Sequence, residues 1–319
     1  MIVVFAVALA ACNQKQRTPY LPQSNGQINS LAVVIDNSLW KGAVGDTIRK
    51  YFAAPVDGLP IEEPIFSIHQ IPPTVFEGNT RNSRNILIVQ KDSVSGVAIK
   101  DTLFAKPQKV GIIRGKTDRD IVCQIQEYSE VMIEAFKDNE VKESQLRFKN
   151  SLNVEKDIEN KLGFRLTLPS VYKIVKQENN FFWIERQIRG GTANLILYEM
   201  PLGSIPLGDE RAGAIVRMRD SIGERYIPGR EEGMYMITES AFAPSVYNTK
   251  IKGRNAIESK GLWEVKNFLL GGPFVNYIIE DKANNRLVVL EGFVSAPMTN
   301  KRDYLFELES IVKSIEFTK

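Results

Sequence analysis

The chain has 319 residues, 43% of them hydrophobic and 25% charged, with a net charge of +3. That length leaves room for one large domain or two medium ones, and the composition is that of an ordinary globular protein. The charge is too small and too evenly interspersed for a nucleic-acid footprint, so no nucleic-acid partner is expected.

The chain opens on an unbroken apolar run from Met1 to Ala11. Such a run matches the h-region of a secretory signal and is too short to span a bilayer, which needs about 20 apolar residues. It ends in Leu9-Ala10-Ala11-Cys12, which resembles a bacterial lipobox: a hydrophobic residue, two small residues, then the cysteine that takes the lipid. This predicts a signal peptide over residues 1–11. No Lys or Arg precedes Lys15, so the basic n-region is missing and the true start is expected upstream of Met1. The resemblance implies cleavage before Cys12 and acylation, palmitate included, of its thiol and new amino group. One chain holds a protein to a bilayer only marginally, whereas several on one residue hold it permanently.

Residues 12–27 then read as the lipidated cysteine and a flexible tether. The stretch is polar, carries Pro19, Pro22 and Gly26, and has no apolar period. Extended, it reaches at most about 50 Å. Asn13 stands where the inner-membrane retention signal has Asp, and Gln14-Lys15-Gln16-Arg17 lacks the acids of a surface-export tag. The expected address is therefore the outer membrane, facing the periplasm. With Cys12 lipidated, Cys123 is left alone, so no intramolecular disulfide forms and the apolar core carries the stability.

A first α+β region is predicted over 28–150. Leu31–Asp36 is a short β-branched run that predicts a buried strand. Gly45-Asp46-Thr47 is expected to cap a helix bearing Ile48 and Phe52, ended before Pro55. Strands follow over Ile65–Ile71, Asn85–Gln90 and Val110–Arg114. Thr117 or Asp118 then caps a helix with Ile121, Ile125, Tyr128, Met132 and Phe136 at steps of three and four, and a second helical piece runs to about Asn150.

The second region, 151–319, starts with helical turns over Asn153–Leu162, closed by Gly163. Strands are predicted over Val171–Lys176, Phe181–Ile188, Asn194–Glu199, Met234–Thr238, Ala256–Val265, Phe274–Asp281 and Arg286–Val294. One helix lies between Asp209 and Gly223, with Ile215, Met218 and Ile222 on a stripe. A closing helix, Lys301 to about Lys313, leads to a short strand at Ser314–Phe317. The fold class is α+β: two αβ sandwich-like regions with mostly antiparallel sheets covered by helices. The opening Gly163-Phe164-x-Leu166-x-Leu168-Pro169 and the final helix before Ser314-Ile315-Glu316-Phe317 resemble the Mog1/PsbP-type αβα sandwich. Across nearly the whole chain, the stretches from Leu31 to Ile68 and from Gly261 to Ile311 are similar to an uncharacterised lipoprotein family of Bacteroidetes. That resemblance implies a shared architecture and a lipid anchor, and brings no catalytic residue.

Among candidate chemistries, His69 is the single histidine, alternating in a strand with Ser67 and Ile71. No Gly-x-Ser-x-Gly elbow accompanies it, and one His with one free Cys does not make a zinc site. No metal and no cofactor are expected. Cys123 shares a helix face with Glu127, Glu130 and Glu134, carboxylates that disfavour a thiolate. Gly111-Ile-Ile-Arg-Gly115-Lys116-Thr117 has one residue too few between its glycines for a phosphate loop and reads as a strand end and helix cap. Glu62-Glu63, Asp118/Asp120 and Glu231-Glu232 pair carboxylates that only a fold can bring into a cleft.

Arg211, Arg217 and Arg219 on the Asp209–Gly223 helix are candidate anion-binding groups, interspersed with acids as on a solvated face. Phe181-Phe182-Trp183 points to a strand buried on both faces rather than a sugar platform. Gly190-Gly191 and Gly271-Gly272-Pro273 are expected to be turns. The leading expectation is a non-enzymatic envelope lipoprotein, held to the membrane by its lipid and binding a protein or glycan of the envelope. The alternatives are an envelope hydrolase using Glu62, Glu63 or His69, and a carrier of a small apolar ligand, which needs a cavity of about 300 Å³ or more.

Overall fold

The computed structural model describes residues 20–318, so the lipobox residues Leu9, Ala10 and Ala11, and Cys12 itself, lie outside the described residues. Chain order in the first region is β1 (Ser30–Val34), α1 (Asn37–Trp40), α2 (Ala43–Phe52), β2 (Ser67–Ile71), β3 (Asn85–Lys91), β4 (Gly96–Asp101), β5 (Lys109–Gly115) and α3 (Asp118–Phe148). The strands form one sheet in the order β2-β1-β3-β5-β4. Pairings β1/β2, β1/β3 and β3/β5 are parallel, and only β4/β5 is antiparallel. Over the whole chain the sheets are mostly antiparallel, but this one is not. The reason is visible in β1, where Leu31 to Val34 are all buried, the continuous apolar run of a strand covered on both faces.

On one face Leu31, Val33, Leu87, Val89 and Ile113 meet Ile48 and Phe52 of α2 and Ile125, Met132 and Phe136 of α3. On the other, Ala32, Val34, Ile86 and Val110 lie under Phe76 and Phe104, whose rings meet edge to face at 5.5 Å. Gly45 is not a cap but sits inside α2. A Cβ there would lie 1.9 Å from the Trp40 carbonyl oxygen, so glycine lets α2 pack onto the end of α1. Thr117 does cap α3: its hydroxyl accepts from the Asp120 backbone N–H, and the Asp120 carboxylate accepts from the Thr117 N–H in return.

Helix α3 is one unbroken element about 46 Å long rather than two pieces. Tyr128, expected on its apolar stripe, is exposed, and Ser129 takes the buried position.

Residues 22–27, expected to belong to a tether, are part of the folded body. Lys106 N–H donates to the Pro22 carbonyl, Ser24 N–H to Lys106 and Asn25 N–H to Asn82. Arg84, buried with Glu140, donates to the Gly26 and Gln27 carbonyls. The body therefore begins near Pro22.

The second region contains α4 (Asp157–Leu162), β6 (Phe164–Arg165), β7 (Lys173–Glu178), β8 (Phe181–Ile188), β9 (Gly191–Pro201), α5 (Arg211–Tyr226), β10 (Met236–Thr238), β11 (Ser245–Ile251), β12 (Arg254–Val265), β13 (Phe268–Asp281), β14 (Arg286–Ser295), α6 (Arg302–Val312) and β15 (Glu316–Phe317). Its main sheet is antiparallel throughout, ordered β10-β12-β13-β14-β9-β8-β7, with β11 also on β12; β6 and β15 pair separately.

Alternation splits the sheet cleanly between two cores. Val275, Tyr277, Val288, Leu290, Leu195 and Leu197 face α6 and α4. Phe274, Ile278, Val289, Phe293, Ile196 and Tyr198 face α5. The result is helix, sheet, helix. Gly163, left-handed at φ 67°, closes α4 as expected, and Gly190 at φ 75° makes the β8–β9 turn. Gly271 and Gly272 are not a turn. They lie within β13, opposite Glu264 and Trp263, and a Cβ on Gly272 would come within 2.1 Å of the Val294 carbonyl oxygen.

Candidate functional site

Helix α5 crosses one face of the larger sheet through Ile215, Met218 and Tyr226. Strand register places Ser259, Asn276 and Glu291 side by side across β12, β13 and β14 beneath it, a polar row in an apolar layer. Arg219 comes down from α5 to meet that row. It donates through Nε at 2.8 Å and Nη2 at 2.7 Å to the two carboxylate oxygens of Glu291, and through Nη1 to the Thr238 hydroxyl. Asn276 donates a further hydrogen bond to Glu291 at 2.8 Å, and the guanidinium lies 3.4 Å from the centre of the Phe274 ring. Arg219 is 2% exposed and Glu291 0%. A bidentate pair so deeply buried fixes the helix on the sheet rather than meeting a ligand.

Beyond the reach of α5, the same face is open as an aromatic groove of about 270 Å³. Its walls are Trp183 from β8, Trp263 from β12, Phe293 from β14 and Phe268 from β13. Trp263 meets Phe293 at 5.4 Å and 71°, an edge-to-face contact. The Trp183 indole N–H donates to the Asn194 side-chain oxygen at 2.9 Å, and the Asn194 amide donates on to the Thr192 hydroxyl at 2.9 Å. Trp263 is 4% exposed, and its indole N–H is buried with no hydrogen-bond partner. A buried donor left unmade is costly, about 1–3 kcal/mol; this one faces Gly272, where a Cβ would come within 3.1 Å of it. Aromatic faces with a few placed amide and hydroxyl groups suit a ring that is apolar on its faces and polar at its edge.

Alternation of buried Phe182 and Ile184 with Phe181 and Trp183 already separates the two faces of β8. The Phe181-Phe182-Trp183 stretch is thus double-faced as expected, except that Trp183 is half-exposed and lines a groove.

The sequence-predicted candidates scatter. Of the arginines on α5, Arg219 is buried in its ion pair. Arg211 donates to Asn248 at 2.7 Å on one flank, and Arg217 lines a cleft on the other. His69 is exposed on β2, the outer strand of the first sheet. Glu62 is exposed. Glu63 is committed elsewhere: its carboxylate accepts from the backbone N–H groups of Lys301 at 2.6 Å and Arg302 at 3.2 Å, capping α6 and stitching the two regions together. Cys123 is exposed. Among the described residues, no group of three or more His, Cys, Asp or Glu is placed to hold a metal ion, and no helix is long and apolar enough to cross a membrane.

A second buried cluster lies at the seam between the regions, where α3 meets α6. Glu309 of α6 pairs with Lys313 at 2.5 Å. Burial alone pushes the Glu309 carboxyl up, but Lys313, Lys260 and Lys137 together outweigh it and hold the group well below the ordinary carboxylate range. Burial likewise lowers the Lys137 ammonium, with Glu309 opposing. The sign for Glu309 is that of a depressed acid: its contribution to stability is present above the unfolded value of about 4.5 and is lost as pH falls through that value toward the folded one. Thermal unfolding followed from neutral pH down to about 3 is expected to show a steeper loss for the wild type than for Glu309→Gln; matching slopes would assign the acid sensitivity elsewhere.

Comparison with known proteins gives weak structural likenesses and a family. No curated protein matches the sequence. A Bacteroides thetaiotaomicron crystal structure is similar at 11% identity and a TM-score of 0.26, over 49% of this chain and 46% of that one, so the chain spans about half of its length. The Saccharomyces cerevisiae Ran-binding protein Mog1p is similar at 10% identity and a TM-score of 0.32, over 49% of this chain and 91% of that one. LpqN, involved in cell envelope biogenesis of Mycobacterium tuberculosis, is similar at 11% identity and a TM-score of 0.28, over 47% and 79%. Residues 24–149 match the family described as Domain of unknown function (DUF8532). Residues 151–314, more than half of the chain, match the one described as Domain of unknown function (DUF4837), and to that family the protein belongs.

Proposed function

We propose that the protein is a lipid-anchored lipoprotein of the outer membrane, facing the periplasm, and that its second region is a binding module for an envelope glycan. The anchor rests on Leu9-Ala10-Ala11-Cys12 and the apolar run before it. The binding role rests on one observation, the aromatic groove, in which Trp183, Trp263, Phe268 and Phe293 stand beside the polar groups of Glu185, Thr192 and Arg230. Sugar rings stack their C–H faces on indole and accept through their hydroxyls, which is the chemistry those walls offer. A lipid tether would hold the groove beside the glycans of the envelope at high local concentration.

Both halves are testable. Cys12→Ser is expected to move the protein from the membrane pellet to the soluble fraction of its host; persistence in the pellet removes the anchor. The groove holds two of the chain's three tryptophans, so intrinsic fluorescence reports on it. Titration with soluble peptidoglycan and polysaccharide fragments is expected to shift emission, and Trp263→Ala to weaken binding at least about tenfold. An unchanged emission, or binding indifferent to Trp263→Ala, overturns the glycan reading.

A further inference from the structure

We propose that a second cleft, on the opposite flank of α5 from Arg211, binds an anionic amphiphile: a phosphate head carrying a ring or chain. The cleft has a volume of about 1070 Å³ and is separate from the aromatic groove, so it stands or falls independently of the glycan reading. One wall is a single stripe of α5, where Arg217, Ser221 and Arg225 recur at steps of four and are all exposed. Lys161, at the end of α4, faces them across the opening. None of these three cations makes an ion pair among the described residues, whereas Glu178, Asp281 and Glu291 nearby are each paired to other cations. The one acid in the lining, Glu199, is paired to Arg286 and accepts from Asn180. The cleft therefore carries a surplus of uncompensated positive charge.

Its floor is of the other kind. Half-buried Met200, Ile205, Pro206 and Ile222 supply apolar surface there, resting on a stacked pair, Phe181 and Tyr226, that is itself buried. A solvated basic face has no use for a concave apolar floor, and a purely apolar site has no use for three cations without acidic partners. A phosphate head, carrying about −1.5 to −2 charge near neutrality and three acceptor oxygens, can meet Arg217, Arg225 and Ser221 at once, as a singly charged carboxylate cannot. The attached ring or chain then covers Ile205, Pro206 and Ile222. The volume lies just above the range of ordinary ligand sites, about 300–1,000 Å³, as suits a shallow, open cleft.

The test uses the full chain with Cys12→Ser, so that no acyl chain competes. Calorimetric titration below micelle formation compares dodecyl phosphate, dodecyl maltoside and inorganic phosphate. Dodecyl phosphate is expected to bind at least about tenfold tighter than either. Arg217→Gln with Arg225→Gln is expected to cost it at least about tenfold, and Arg211→Gln, across the helix, to leave it unchanged. A parallel arm measures cosedimentation with vesicles containing phosphatidic acid. Arginine-dependent binding in that arm identifies a bilayer headgroup as the source, and dependence confined to the monomeric probe identifies a free amphiphile. Equal affinity for the maltoside, or binding that ignores the Arg217/Arg225 exchange in both arms, overturns the proposal.

Discussion

Glu291→Ala is expected to cost about 3–5 kcal/mol of stability, the largest effect of any single exchange in the second region. The exchange removes both acceptors of the Arg219 fork and leaves a guanidinium that is 2% exposed with only the Thr238 hydroxyl and the Phe274 ring for company. Asn276 loses its acceptor at the same time. The pair is nonetheless not a net source of stability, because taking two charges out of water cancels most of their attraction. Arg219→Met combined with Glu291→Leu is therefore expected to recover most of the loss. Urea unfolding of the two single variants and the double variant measures this. A double variant as unstable as the singles would show that the polar row itself, rather than an uncompensated charge, holds α5 in place.

Phe136→Ala is expected to cost a further class of about 3–5 kcal/mol, here through a cavity rather than a charge. Phe136 is fully buried at the centre of α3, with its ring 6.3 Å from Phe52 and 6.0 Å from Phe66. It sits directly over Gly111 of β5, where a Cβ would come within 3.1 Å of the ring. The backbone of β5 and the two neighbouring rings are each held by other contacts, so the space left behind cannot collapse. Val131→Ala on the exposed side of the same helix, at 56% exposure, is the control and is expected to stay within about 0.5 kcal/mol of the wild type. Denaturant midpoints decide it: a loss at Phe136 no larger than at Val131 would mean that α3 is not anchored where its ring contacts place it.

Much of the fold was legible because burial and period agree. The apolar spacing of α3 at its start, the Gly163 stop and the alternating late strands all lie where sequence places them. The second half of α3 was not legible, because its buried positions turn polar: Asn139, Glu140, Glu143 and Ser144 are buried against Arg84, Asn85 and the seam with α6. An apolar pattern fades there although the helix continues. Strands β4 and β11 carry no clear sequence signal, because each lies at a sheet edge and is half-exposed, so neither needs a strong alternation.

The parallel pairings of the first sheet had a signal in the run at β1, one that the element order obscured. The aromatic groove had almost none. Trp183 and Trp263 are far apart in the chain, and only the strand order β12-β13-β14-β9-β8 brings them to one wall. Gly272, the residue opposite Trp263, keeps the intervening strand flat against β14, a close approach that looks like a turn when read in sequence alone.

The way the chain enters its body has a mechanical consequence. Residues 22–25 run alongside Lys106 and Ser83 as two parallel bridges, and the next carbonyls are gripped by Arg84 and Arg147. A tension applied along the chain at Tyr20 loads these bonds side by side, so they share the force instead of parting one after another. Behind them stands Arg84, clamped to Glu140 in the centre of the first region. A tug from outside is thus delivered to the buried polar knot of that region and, through Asn29, whose side chain donates to Asp303 of α6 at 3.0 Å, to the seam with the second region.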